Sequence, residues 1–115
     1  MNREYLDYLQ DILDSVNDIE IFIEGMNFQE FEKDRKTVNA VVRSLEIVGE
    51  AAKKVPDEVK EKYTDIPWKN ITVMRDKLVH EYFGVDEEIV WKVVSEEIPA
   101  LKPLVQKLFD ELDKK

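Results

Sequence analysis

The sequence predicts an all-α fold, an up-and-down bundle of four main helices with short helices between them. Three observations point there. Every long segment repeats its apolar residues at spacings of three and four. No stretch of useful length alternates apolar and polar residues as a half-buried strand does, and no segment repeats another. Three glycines and four prolines in 115 residues leave little material for linkers or low-complexity segments.

The first helix is expected from about Arg3 to Glu24, with Tyr5, Leu9, Ile12, Val16, Ile19 and Ile23 on one face. Asp7, Asp11, Asp14 and Asp18 fall off that face. Gly25-Met26-Asn27 reads as its stop, with the glycine at or just past the C-cap. A short turn, Phe28 to Lys33, leads into a second long helix from about Asp34 to Lys54, whose seam is Val38, Val42, Leu45, Val48, Ala52 and Val55. Gly49, Ala51 and Ala52 form a small-residue patch on it. A glycine inside a helix costs about 1 kcal/mol relative to alanine, so close approach of another helix is the expected compensation.

Pro56-Asp57-Glu58 opens a short helix ending near Tyr63, with acidic residues suited to its first turn. Ile66-Pro67-Trp68 starts a fourth helix that runs to about Tyr82 and is broken by Gly84. Asp86 is a good N-cap for a fifth, Glu87 to Glu97. Pro99 then opens the last helix, with Leu101, Leu104, Val105, Leu108 and Leu112 as its stripe.

The length fits a single domain spanning residues 1–115. Without cysteine there are no disulfides and no thiolate metal sites. The first residues lack the apolar core of a signal peptide, and no apolar run approaches the ~18–20 residues of a membrane span. A cytoplasmic, non-membrane protein is the expectation. The net charge of −9 repels nucleic acid at long range, and no Lys/Arg-rich stripe is visible. That acidity suits a basic protein partner.

The fourth helix carries the one anomaly. At 100° per residue, Trp68, Ile71, Leu78, Val79 and Tyr82 lie within about 60° of Arg75. Arg75 therefore projects from the middle of an apolar stripe. A guanidinium is costly to bury unpaired, so either Arg75 has a buried acidic partner or the stripe lines an interface or cleft. His80, the only histidine, is the one side chain whose ordinary pKa suits proton transfer near neutrality. Alone, a histidine near a helix C-terminus and a tyrosine at a core edge are ordinary features.

Together, Arg75-Asp-Lys-Leu-Val-His80-Glu-Tyr82 matches the R-x4-H-x-Y motif of the HEPN group. The stretches Pro67 to Pro99 and Asp34 to Pro56 resemble the HepT-like branch of that group, so the resemblance covers most of the chain. It implies a HEPN-like helical bundle that forms a homodimer through its motif-bearing helices. It implies a metal-independent endoribonuclease with Arg75 and His80 catalytic, no cofactor, RNA rather than DNA as substrate, and no membrane association. It further implies the toxin role in a type VII toxin–antitoxin system. There the partner is a minimal nucleotidyltransferase antitoxin that attaches AMP to the motif tyrosine, here Tyr82. Asp76 occupies the polar position that often follows the arginine in this family. Arg43, outside the seam of its helix, is a candidate auxiliary phosphate contact.

Metal-free RNA cleavage needs a base for the 2′-hydroxyl, an acid for the leaving oxygen and a cation for the phosphorane. One histidine per chain is too few for both proton roles, which is consistent with a two-fold composite site. On an ideal helix Arg75 and His80 point about 140° apart. Either the helix loosens near Glu81, or the arginine reaches around, or a dimer brings the groups together. The alternative to an enzyme is a non-catalytic binding or substrate-presenting partner of a nucleotidyltransferase, and a plain helical dimerisation domain is a third reading.

Overall fold

The computed structural model describes residues 4–80 and 86–114, and within these the side chains of Glu4, Val79 and His80 are outside the description. The described residues form α1 (Glu4–Ile23), α2 (Phe28–Lys33), α3 (Arg35–Lys54), α4 (Asp57–Lys62), α5 (Trp68–His80), α6 (Glu87–Lys92) and α7 (Ile98–Asp113). A π-helical turn, Val93–Glu97, joins the last two. The fold is all-α, as the periodicity requires.

Local chemistry sets the boundaries. Gly25 adopts a left-handed φ of 76° just past α1, the conformation that glycine takes at no steric cost. Asn27 and Glu30 form a reciprocal capping box at the start of α2, with Glu30 N–H donating to Asn27 Oδ1 at 2.9 Å and Asn27 N–H to Glu30 Oε1 at 3.1 Å. Asp34 precedes α3 as its N-cap and accepts from Thr37 N–H at 3.1 Å. That bond holds the Asp34 carboxyl below its ordinary pKa. Pro56 occupies the N-cap of α4. Asp86 caps α6 by accepting from Glu88 and Ile89 N–H at 2.9 and 3.3 Å, the role expected of it.

Two expectations need correction. Pro99 does not open a separate helix: α6 runs through the π turn into α7, with Pro99 in the second position of α7. Lacking an N–H, Pro99 cannot donate in the ordinary helical ladder. The preceding turn widens instead, so that Ile98 N–H reaches back five residues to the Val93 carbonyl. The seam of α3 also runs through Val41, which is fully buried, whereas Val42 is only half-buried beside it.

The main helices pack in a row. α1 and α3 make the most extensive pairing, α5 lies against α3, and α7 lies against α1. Leu9, Ile12, Val16 and Ile19 of α1 and Val41, Leu45, Val48 and Ala52 of α3 are wholly excluded from solvent at the centre. Phe31 of α2, also fully buried, meets Trp91 of α6 with ring centroids 5.1 Å apart. The least extent of the molecule is 20 Å, about two helix diameters. α5 is thus an edge helix, seated on one main neighbour. Its start is pinned by Trp68, which is buried, donates from Nε1 to the Tyr63 carbonyl at 3.1 Å, and lies beneath the Lys60 ammonium. No described helix is long and apolar enough to cross a membrane.

Candidate active site around Arg75

The compensation expected for Gly49 is Arg75 itself. A Cβ added at Gly49 would overlap the Arg75 Cβ and stand 2.5 Å from its Cγ, well inside contact distance. The arginine's aliphatic stem lies directly across the α3 backbone where that helix has no side chain. Its position in the apolar stripe, anomalous in the sequence, becomes intelligible: the stem packs as a hydrophobic group and the head emerges past α3.

The head is held by two carboxylates. Arg75 Nη2 is 2.9 Å from Glu50 Oε2, and Nη1 is 3.2 Å from Asp76 Oδ1. Of the two alternatives for Arg75, acidic partners and a cleft, both are present, although the partners are half-exposed rather than buried. Arg75 keeps a quarter of its side chain accessible. Its Nε is buried and has no hydrogen-bond partner among the described residues. Glu50 also faces Lys54, one turn on, with Oε1 3.8 Å from the ammonium. The two oxygens of one carboxylate are therefore divided between two cations.

Arg75, Glu50 and Lys54 border a cavity of about 260 Å³ between α1 and α3, which Tyr8, Arg43 and Glu46 also line. Arg43, the auxiliary candidate, is largely exposed and turned toward Glu46 at 3.4 Å. Three cations here face three carboxylates, Asp11, Glu46 and Glu50. The lining is near neutral in a chain of net charge −9. A phosphate meets far less repulsion at this spot than over the molecule as a whole.

A second cavity, about 340 Å³, lies on the other flank of α5 and is mainly apolar. Val73, Met74 and Leu78 of α5 face Ile89, Val90 and Val93 across it. Val73 is 44 % and Ile89 62 % exposed.

Arg75 and Asp76 are brought together, and Arg43 borders the same cavity as Arg75. His80 is the last residue of α5, but its side chain is outside the description, and Tyr82 lies outside the described residues altogether. Sequence reasoning missed Glu50, Lys54 and Tyr8. The available signal for Glu50 was its place next to a helix-interior glycine that another helix was expected to approach.

A family model described as ribonuclease HepT-like matches residues 12–108. A protein of Thermococcus cleftensis, provisionally named ribonuclease HepT, is 47 % identical over 108 residues, covering 94 % of this chain and 98 % of the relative. A Methanocaldococcus jannaschii protein provisionally named an RNase is 48 % identical over 92 residues, 80 % of this chain and 76 % of its own. Another so named, from Caldanaerobacter subterraneus, is 44 % identical over 104 residues, 90 % and 93 % of the two chains. No solved structure matches.

Proposed function

Because this chain belongs to the ribonuclease HepT-like family, we propose that it is a metal-independent endoribonuclease in which Arg75 and His80 act on RNA. The observation that carries the proposal is Arg75. Its guanidinium sits on an edge helix, five residues before the only histidine, with its stem locked over Gly49 and its head at the wall of a cavity. A bound counter-carboxylate keeps such a head extended and in place until a phosphate competes for it.

In the proposed reaction the RNA 2′-oxygen attacks the adjacent phosphorus while its proton passes to a base. The bond to the 5′-oxygen breaks, and that oxygen takes a proton from an acid. The products are a 2′,3′-cyclic phosphate and a 5′-hydroxyl. Arg75 stabilises the charge gathered on the phosphorane oxygens, and His80 serves the proton steps. A single histidine per chain cannot be base and acid at once, so the proposal includes a homodimer in which two copies contribute to one site. The exposed apolar edge of α5 and α6, with Val73 and Ile89, supports that reading, because a second copy would cover it.

The biological role proposed is that of a toxin restrained by a nucleotidyltransferase antitoxin, with Tyr82 as the AMP acceptor. AMP there would add bulk and negative charge seven residues from Arg75 and exclude an RNA phosphate by occupancy and repulsion. The test is an RNA oligonucleotide incubated in excess EDTA beside the same sequence with 2′-deoxy sugars. RNA alone should be cut, leaving a cyclic phosphate. Cutting of the deoxy strand, or a strict need for metal, would overturn the mechanism. Mass spectrometry after co-expression with a nucleotidyltransferase should place AMP on Tyr82, and modification elsewhere would overturn that assignment.

A further inference from the structure

We propose that Glu50 of α3 is a positioning residue for Arg75, fixing the orientation in which the guanidinium meets a phosphate. This rests on the ribonuclease reading above and extends it to a residue outside the motif. The stem and the head of Arg75 are both controlled by neighbouring residues of one turn of α3. Gly49 fixes the path of the stem by leaving no Cβ in its way. Glu50 fixes the head through the 2.9 Å contact to Nη2.

The donor inventory shows what this leaves for a substrate. A guanidinium has five N–H donors. The Nε donor is buried, without a partner among the described residues, so it is not open to solvent. Glu50 and Asp76 engage one nitrogen each, Nη2 and Nη1. Each Nη carries a further proton, which a phosphate oxygen can accept. Without Glu50 the head loses the contact that holds it against α3, while the 3.2 Å contact from the adjacent Asp76 remains. The same carboxylate reaches toward Lys54, 3.8 Å away, and so keeps a second cation beside the first.

A bystander carboxylate and a positioning carboxylate have opposite consequences. If Glu50 merely stands near the path of RNA, removing its negative charge should lower KM and leave kcat unchanged or raised, since repulsion falls. If it positions Arg75, Glu50→Ala should lower kcat about 10- to 100-fold even where KM falls, because a misplacement of about 1 Å can cost that much. Glu50→Gln keeps an acceptor oxygen for Nη2 and should restore kcat to within about threefold of wild type. The residue is half-exposed, so both variants should fold, and circular dichroism melts check that.

The deciding experiment joins these kinetics to a readout that needs no catalysis. The Arg75 Nε–H resonance, assigned by its absence in Arg75→Lys, should exchange slowly with solvent in wild type and at least tenfold faster in Glu50→Ala. An unchanged exchange rate overturns the positioning role whether or not the protein cuts RNA. Faster exchange with unchanged kcat shows that the contact orders the side chain without serving the reaction, and also overturns the proposal. Normal exchange in a wild-type protein that cuts no RNA overturns the ribonuclease reading instead, and the catalytic meaning of Glu50 falls with it.

Discussion

Replacing Gly49 by alanine sets two forces against each other, and the structure decides between them. Helix propensity alone favours the change by about 1 kcal/mol. The added Cβ, however, would stand 2.5 Å from the Arg75 Cγ and closer still to its Cβ. Carbon atoms prefer roughly 3.5–4.0 Å, so α5 must move by about 1 Å or more, or Arg75 must leave its present path. Overpacking of this kind costs about 1–3 kcal/mol. Because Arg75 is attached to an edge helix with a single main neighbour, much of the strain falls on the α3–α5 contact. The net expectation is destabilisation by about 0–2 kcal/mol for Gly49→Ala and more for Gly49→Leu, which places three further carbons in the same space. In a chain of this size, 1 kcal/mol corresponds to a fall in Tm of about 3–6 °C. Thermal melts followed by circular dichroism, with denaturant titration as a check on the slope, measure this directly. An alanine variant that melts several degrees above wild type would show that helix propensity wins, and would refute the account of Gly49 as the seat of Arg75.

Three further outcomes follow from other parts of the molecule. Asp34→Ala should lower the Tm, whereas Asp34→Asn, also a good cap, should hold it near wild type. The Asp34 pKa is lowered in the folded state, so its contribution is present above the ordinary aspartate range and is lost as pH falls through the lowered value. The asparagine variant should therefore lose that acid-side dependence, and an identical pH profile would contradict the capping account. The Tyr63 phenol, hydrogen-bonded to Glu111, has its pKa raised above 10.0, so that stabilisation is present below pH 10 and disappears as pH rises through the raised value. Ultraviolet titration should show a late-titrating tyrosine whose pKa Glu111→Gln lowers. Val73→Glu, at a 44 % exposed position, should leave the protomer's fold intact yet weaken a dimer built on the α5 edge. Sedimentation showing an unchanged assembly would move the proposed interface elsewhere.

Much of the fold was legible because helical periodicity is a local property. The stripes of α1 and α7 and the Asp86 cap could be read directly, and Gly49 announced a close approach before its partner was known. The π turn was less visible. Pro99 signals that an N–H is missing, but whether the chain breaks or widens around the gap depends on how Val93, Val94 and Ile98 are buried. The seam of α3 was read too narrowly, without Val41, because that helix packs on α1 and α5 at once and its buried face is broader than one stripe. Around the site, Arg75 stood out by its place among apolar residues. Glu50 did not, since an acidic residue on an outer helix face looks like any other until α5 is laid beside it. Arg43 and Asp76 lie in the same neighbourhood as Arg75, whereas the geometry of His80 and Tyr82 falls outside the described residues.

The proposed ribonuclease activity depends on Arg75 and His80. Its most direct test is cleavage of total cellular RNA in excess EDTA by wild type and by His80→Ala. Wild type should cleave and the variant should lose at least a hundredfold, about the scale on which general acid–base catalysis contributes. Equal cleavage by both would point to another nuclease in the preparation or to chemistry that does not use His80. Cleavage by neither would contradict the enzyme reading and favour a non-catalytic partner of a nucleotidyltransferase.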